Sequence, residues 1–160
     1  MYLDALSFLE DEREGWRAFE ALDELTDDQL TPNLESVHGW SGRDLMAHLI
    51  AWLELAVTVA KELAINESSP SKVAADADWD ARGDAINEEI RQAWLALPMD
   101  EVRQRFRTIP GELRGYLTVV PEARWLKNAD YEEFFLTETI DHYEAHADDL
   151  AGVLASAGRN

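Results

Sequence analysis

Apolar residues recur at intervals of three and four positions along almost the whole chain, and this spacing constrains the fold more than any other feature. Apolar and polar residues nowhere alternate over a run long enough to indicate a half-buried strand. The 160 residues suit one domain with one hydrophobic core. The sequence therefore predicts a single all-α domain that covers residues 1–160.

Two long helices are predicted in the first part of the chain. The first runs from about Leu3 to Leu25. The second begins near Gly42, where the Ser41 hydroxyl can accept hydrogen bonds from the first amides and Asp44 adds negative charge to the first turn. It extends to about residue 66, and one broad face must be buried, namely Leu45, His48, Leu49, Trp52, Leu55, Ala56, Val59 and Leu63.

An accessory helix is expected after an exposed connection. Residues 66–72 contain several turn-forming residues, which favours that connection. The apolar residues of the following helix, from about Asp80 to Ala96, are sparse, so we expect it to lie against the bundle without joining the core fully. Its exposed apolar positions leave open a pairing of the chain with a second copy.

Prolines and polar caps indicate where the remaining helices begin and end. Pro98 suits the first turn of a helix, and Pro110 is expected to kink that helix or split it into residues 98–108 and 111–119. Asp130, with Glu133 three positions later, predicts the capping box of a last helix that runs to about Ala157.

Composition excludes several classes of function. The chain has 33 acidic and 14 basic residues, a formal net charge of −19, which makes nucleic acid and anionic membrane surfaces improbable partners. The absence of cysteine excludes disulfides and thiolate metal sites, so any metal must be held by His, Asp or Glu. The acidic first residues and the lack of a long apolar run predict a cytoplasmic location.

Four arginines cluster near the second proline, at positions 103, 105, 107 and 114. They could pack beside acidic neighbours or line a site for an anionic substrate. The first interpretation is favoured, because surface charges alone are weak indicators of a site.

Three of the four histidines stand where metal chemistry would place them. His142 and His146 are four residues apart, so both rings project from one side of the last helix. His48 lies within the apolar face of the second helix, where a buried imidazole must donate to, accept from or ligate something. His38 lies in a predicted loop and is expected to be exposed or packed there.

If the second and last helices are neighbours, one divalent ion would satisfy all three imidazoles. Each signal alone has a simpler explanation, since a histidine pair at this spacing is common and a lone buried histidine is usually a hydrogen-bonded core residue. A carboxylate-bridged diiron site needs two Glu-x-x-His motifs on separate helices. The chain has one such motif, Glu35 to His38, and it lies in a predicted loop, so this site is rejected.

The stretch GWSGRDLMAHLIAW, residues 39–52, together with HYEAH, residues 142–146, resembles the DinB-like superfamily of metal-binding four-helix bundles. That superfamily includes the amino-terminal domain of mycothiol-dependent maleylpyruvate isomerase, bacillithiol transferases and proteins that protect bacteria from colibactin-type genotoxins. The resemblance implies a four-helix bundle with one accessory helix between bundle helices 2 and 3. It also implies a zinc or nickel ion held by His48, His142 and His146.

A small-molecule substrate and two reactions are compatible with such a site. Three neutral ligands leave the ion its full charge, which activates a water for hydrolysis or a thiol for transfer to a small electrophile. Because the chain has no cysteine, the thiol would be a low-molecular-weight cosubstrate. The resemblance favours thiol transfer, whereas the residues alone favour neither reaction. A non-catalytic ligand-binding or genotoxin-protection role of the same cavity, or a purely structural role of the histidines, stays open.

Two further groups of candidate residues surround the histidines. Carboxylates spaced to hydrogen-bond the ligand rings are Asp44, Glu138 and Asp149, although the simpler interpretation of each, as an ordinary solvated acid, is favoured. Aromatic residues that could wall a pocket, or fill the core, are Trp40, Trp52, Trp125 and Tyr143.

Overall fold

The computed structural model describes residues 2–159, and within this range the chain is helical with no β-strand, which confirms the all-α fold class. The α-helices are α1 (Ala5–Arg17), α2 (Asp27–Leu30), α3 (Gly42–Ile65), α4 (Pro70–Arg82), α5 (Ala85–Leu95), α6 (Met99–Val119), α7 (Ala129–Glu138), α8 (Ile140–Ala145) and α9 (Ala147–Ser156). Short 3₁₀ helices cover Phe19–Glu24, Glu35–Val37 and Glu122–Arg124. No helix in the described range is long and apolar enough to cross a membrane.

Helix α3 is the centre of the fold and confirms the predicted second helix. Its start is fixed by a capping box in which the backbone N–H of Ser41 donates to Asp44 Oδ2 at 2.9 Å and the backbone N–H of Asp44 donates to Ser41 Oγ at 3.1 Å. The helix packs most extensively against α6 and also contacts α4, α5, α7 and α9. One end of α3 is therefore held in a defined position beside the last part of the chain.

The first predicted helix is shorter than expected, because α1 ends at Arg17 and the chain continues as a 3₁₀ helix. The tighter winding turns both Phe19 and Leu22 into the core, where they are 2% and 0% exposed. The chain then enters α2 through a capping box formed by Thr26 and Gln29.

The predicted exposed connection over residues 66–72 is wrong in its second half, because α4 begins at Pro70. Ser69 is 0% exposed and caps this helix, with its hydroxyl oxygen accepting from the backbone N–H of Lys72 at 3.1 Å. The Ser69 hydroxyl donates to Glu62 at 2.5 Å, and its backbone N–H donates to the Tyr131 hydroxyl at 2.7 Å. These contacts to α3 and α7 hold the start of α4.

Helices α4 and α5 form a hairpin on the outside of the bundle. Gly83 forms the bend with φ of 51°, a left-handed conformation that glycine adopts without strain. The accessory helix predicted from Asp80 is α5, but the predicted start is wrong, because Asp80 still belongs to α4 and α5 begins at Ala85 after the bend. Helix α5 contains no fully buried residue. At its far end, Arg43 of α3 donates to the backbone carbonyls of Trp94, at 3.2 Å, and Leu95, at 3.1 Å.

Pro110 does not split its helix, contrary to the expectation, because α6 is continuous from Met99 to Val119. Proline removes one backbone hydrogen bond, but Ile109 and Leu113 on either side are both 0% exposed in the core. Packing against α3 therefore keeps the helical path. Pro98 is the residue that precedes the helix, not a member of its first turn.

The last predicted helix begins and continues differently from expectation. Its cap is Asn128, whose side chain accepts from the backbone N–H of Asp130, so the predicted cap at Asp130 is wrong. The helix is also interrupted at Thr139 and His146, which divides it into α7, α8 and α9. The buried Thr139 hydroxyl donates to the carbonyl of Phe135 at 2.5 Å, a contact that competes with regular helical bonding.

One buried polar cluster, formed by Glu12, Arg114 and Tyr143, ties α1, α6 and α8 together. Glu12 is 0% exposed, and its two carboxylate oxygens accept from the Tyr143 hydroxyl at 2.8 Å and from Arg114 at 2.7 Å. Burial raises the pKa of the Glu12 carboxyl, while the Arg114 charge opposes that rise.

The other arginines of the predicted basic cluster are also paired with acids. Arg103 bonds to Asp23 and Asp27, Arg105 to Glu54 and Glu112, and Arg107 to Asp23. The interpretation that these arginines pack beside acidic neighbours is confirmed.

Candidate metal centre

Three imidazole rings from two distant parts of the chain meet at one end of α3. The Nε2 atom of His48 lies 2.8 Å from that of His142 and 3.0 Å from that of His146. One nitrogen from each ring lies within 4.8 Å of the other two. Zinc–nitrogen bonds of about 2.0–2.1 Å place two ligands of one tetrahedral ion roughly 3.3 Å apart, so the rings stand close to ligating distance.

Partners on the far side of two rings orient them and, for His146, favour one tautomer. Asp149 Oδ2 lies 2.7 Å from His146 Nδ1, and the backbone carbonyl of Glu138 accepts from the His142 ring. Donation from His146 Nδ1 to Asp149 leaves the Nε2 atom of His146 with a lone pair toward His48. Histidine ligands of metal ions are held in this way by partners on their second nitrogen.

His48 cannot satisfy both neighbours with its own proton. If its Nε2 carries the proton, the ring can donate to only one of the two nitrogens that face it. If its Nδ1 carries it, that buried atom has no hydrogen-bond partner, and the lone pairs of His48 and His146 face each other. A divalent cation accepts all three lone pairs at once, so the donor set fits a metal ion.

The surroundings also keep two of these imidazoles uncharged. Burial, together with the neighbouring rings, lowers the pKa of His48 to about 2 and that of His142 to about 4. Neutral imidazole is the form that ligates metals.

The three carboxylates predicted to support the rings have different positions. Asp149 contacts His146 directly, as described above. Glu138 reaches His142 through its backbone carbonyl and not through its carboxylate, which lines the neighbouring cavity. Asp44 is not joined to His48, because its Oδ2 is engaged by the cap at Ser41 and its Oδ1 faces Arg91 at 3.5 Å.

A cavity of about 620 Å³ opens above the three rings. Its aromatic walls are Trp40, Trp52, Trp79 and Phe134. The Trp40 ring lies nearly parallel to that of His146, with centroids 6.2 Å apart, and Trp52 contacts Trp79 edge to face at 5.6 Å. The size and concave shape suit a small organic molecule.

Two of the predicted pocket aromatics lie elsewhere. Trp125 is 0% exposed and packs between Phe8 and Phe135, and Tyr143 is 2% exposed in the cluster with Glu12. Both belong to the core, because their side chains leave the backbone on the sides facing α1 and α7. The prediction that they wall the pocket is wrong.

Sequence reasoning missed the contribution of α4 to the cavity. Lys72, Asp76, Trp79 and Asp80 all line it, and they recur at helical spacing on one face. These residues share one face only if a helix begins at Pro70, and the sequence predicts a connection there. Glu138 also lines the cavity, and burial together with the charge of Asp76 raises the pKa of its carboxyl to about 8.

His38 lies outside the three-ring cluster and touches only its supporting carboxylate, with Nε2 3.5 Å from Asp149 Oδ1. It lies in the loop before α3 with φ of 55°, and its side chain is 83% exposed. The expectation of an exposed or loop position is met.

The fold and site define a class, an all-helical protein with a buried three-histidine cluster that can hold a divalent ion. No protein-family model, curated protein or solved structure matches this chain. Functional inference therefore depends on the site itself.

Proposed function

We propose that the protein binds one divalent ion, zinc or nickel, through His48, His142 and His146. The ion would activate a nucleophile, either a thiol or water, that attacks a small electrophile. The observation that carries the proposal is the convergence of three Nε2 atoms at the floor of a cavity open to small molecules. Structural metal sites are usually closed, whereas catalytic sites keep space beside the ion.

We further propose that the chain is a DinB-like bundle. The matching positions are Trp40, Ser41 and the three histidines. In this assignment α1, α3, α6 and the segment α7–α9 are the bundle helices, and the α4–α5 hairpin is the accessory element between the second and third. The packing of α3 on α6, and of α1 on both α6 and α8, supports this arrangement.

The proposed reaction is transfer of a low-molecular-weight thiol to the electrophile, with hydrolysis as the variant in which water replaces the thiol. A divalent ion supplies Lewis acidity that favours loss of the proton from the thiol or water. Sulfur then forms a bond to the electrophilic carbon, the carbon–heteroatom bond breaks, and the released proton goes to that heteroatom. The aromatic walls at Trp40 and Trp52 would hold the electrophile and exclude bulk water.

A second candidate is non-catalytic binding or sequestration of a ligand. The volume of about 620 Å³ favours it, because this size would enclose much of a drug-sized molecule and not only a small electrophile.

The first test is metal content after loading with zinc or nickel and dialysis. The wild-type chain should retain about one ion, and His146→Ala should retain none while its helical circular dichroism is largely preserved. His38→Ala is the matched control, since it removes the fourth imidazole, which reaches only the outer oxygen of Asp149, and it should still retain about one ion. Unchanged metal content in His146→Ala would show that the proposed ligand set is wrong.

The second test separates the two candidate functions. Zinc-loaded protein is incubated with a panel of low-molecular-weight thiols and reactive epoxides, and product is followed by mass spectrometry. Turnover that disappears in His146→Ala supports catalysis. Tight binding of a panel member without turnover supports sequestration.

A further inference from the structure

The charges around the cavity are strongly unequal. Its lining includes the carboxyl groups of Asp76, Asp80, Asp130, Glu133 and Glu138, but the ammonium of Lys72 is its one Lys or Arg group. Even with Glu138 left out of the count, the formal charge of the four remaining carboxylates and Lys72 is three negative. A divalent ion at the histidines would reduce it to one negative, so the cavity does not become attractive to anions.

Lys72 is not available to bind an anionic group. Its Nζ lies 2.8 Å from Asp76 and 3.0 Å from Asp130, and its side chain is 8% exposed. The same ammonium stands 5.7 Å from the centroid of the Phe134 ring. The protein therefore already places one organic cation among carboxylates and an aromatic face in the wall of this cavity.

The remaining groups offer the same combination to a second cation. Asp80 and Glu133 are exposed at the rim and make no ion pair with the cavity's lysine. Trp79 is the residue before Asp80, is 43% exposed, and contacts the deeper Trp52. Indole faces attract cations, and carboxylates form charge-assisted hydrogen bonds with protonated amines.

We infer that the ligand of this cavity is a small organic cation, with an apolar body between the tryptophans and a protonated amine at the rim carboxylates of Asp80 and Glu133. The inference rests on the proposed function, because the other end of the ligand is taken to face the three histidines at the bottom of the cavity. It excludes carboxylic acids as the preferred substrates.

The test uses three probes that share a phenyl body and differ in charge, namely 2-phenylethylamine, 2-phenylethanol and 3-phenylpropanoate. Affinity is measured by calorimetry at low salt, on metal-free and on zinc-loaded protein. The amine should bind about tenfold more tightly than the alcohol in both forms, and the anion should bind most weakly to the metal-free form. The advantage of the amine should shrink in concentrated sodium chloride, because these rim charges are exposed.

Two variants locate the effect. Asp80→Asn combined with Glu133→Gln should reduce the advantage of the amine over the alcohol at least threefold, with no change in binding of the alcohol. The control is Asp100→Asn combined with Glu10→Gln, which makes the same charge change at exposed positions outside the cavity, and it should behave like the wild type. Equal binding of the three probes to metal-free protein, or an unchanged advantage in the first variant, would overturn the inference.

The metal-free measurement separates this inference from the proposed function. An amine preference in a protein that retains no zinc would leave the inference standing and remove the metal site. Zinc binding without an amine preference would leave the metal site standing and overturn the inference.

Discussion

Helix α8 sends adjacent side chains into two buried polar clusters that differ in how their hydrogen-bonding groups are satisfied. Tyr143 joins the cluster with Glu12 and Arg114, where both carboxylate oxygens have donors at 2.7–2.8 Å. His142 joins the imidazole cluster, where one nitrogen of His48 faces two other ring nitrogens and its other, buried nitrogen has no hydrogen-bond partner.

The difference indicates a separate role for each cluster. A fully satisfied polar cluster joins helices and needs nothing from outside the chain. A buried cluster with unpartnered nitrogens is costly unless another group, such as a cation, completes it. The first cluster should therefore respond to mutation through stability alone, and the second should respond to metal and to pH.

The largest effect is expected from removing the cation of the satisfied cluster. Arg114→Met leaves the fully buried Glu12 carboxylate without its charge partner and should lower the free energy of unfolding by about 3–5 kcal/mol. Urea unfolding measures this loss. Arg107→Met is the control, because its ion pair with Asp23 is more exposed and should contribute at most about 1 kcal/mol. Equal losses in both variants would contradict the distinction.

The next effect is the response of the metal-free protein to acid. The pKa values of His48 and His142 are lowered to about 2 and about 4, whereas the unfolded chain titrates near 6.5. Below pH 6.5 these histidines therefore become protonated in the unfolded chain but not in the folded chain. Their contribution to the free energy of unfolding is fully present above that pH and decreases as pH drops. Between pH 7 and pH 5 the two histidines together should lower the stability by roughly 3–4 kcal/mol in urea unfolding with chelator present, and Glu138, whose raised pKa acts in the opposite direction, should offset part of this loss.

A variant shows whether the histidines cause this loss. His142→Asn removes one depressed titration and should make the stability noticeably less dependent on pH over the same range. A pH dependence identical to that of the wild type would assign the loss to other groups.

A smaller effect is expected from one hydroxyl group. Tyr143→Phe removes the donor to Glu12 Oε1 and should cost about 1.5–2 kcal/mol, because the bond is made to a charged group. Zinc affinity should be unchanged, although His142 is the neighbouring residue. A large fall in zinc affinity would show that the two clusters are coupled through α8.

The smallest effect is expected at the carboxylate that orients His146. Asp149→Asn should reduce zinc affinity about tenfold, or roughly 1.4 kcal/mol, and leave the stability of metal-free protein nearly unchanged. Competition with a chelator measures the affinity. A stability loss without any change in zinc affinity would assign Asp149 a structural role.

Local signals explain which parts of the fold could be predicted from sequence. The start of α3 depends on Ser41 and Asp44 three residues apart, so it could be read directly. The start of α4 depends on contacts of Ser69 with Glu62 and Tyr131, which no local pattern reveals. The interruption at Thr139 involves neither glycine nor proline and was likewise invisible to apolar spacing.

The candidate site likewise combines features that local spacing predicts with features that depend on tertiary contacts. The grouping of three histidines followed from a spacing of four residues and from one buried imidazole, and the structure brings them together. The direction of an aromatic side chain depends on which helices are neighbours. Spacing alone therefore predicts Trp125 and Tyr143 in the pocket, which is wrong, and does not indicate Trp79, which lines it.

The attachment of the α4–α5 hairpin fixes one wall of the cavity at both ends. Ser69 joins one end of the hairpin to α3 and α7, and Arg43 joins the other end to the start of α3. Between these anchors the chain reverses at Gly83, whose positive φ would strain a residue with a side chain. The position of this wall therefore depends on a glycine that does not itself line the cavity.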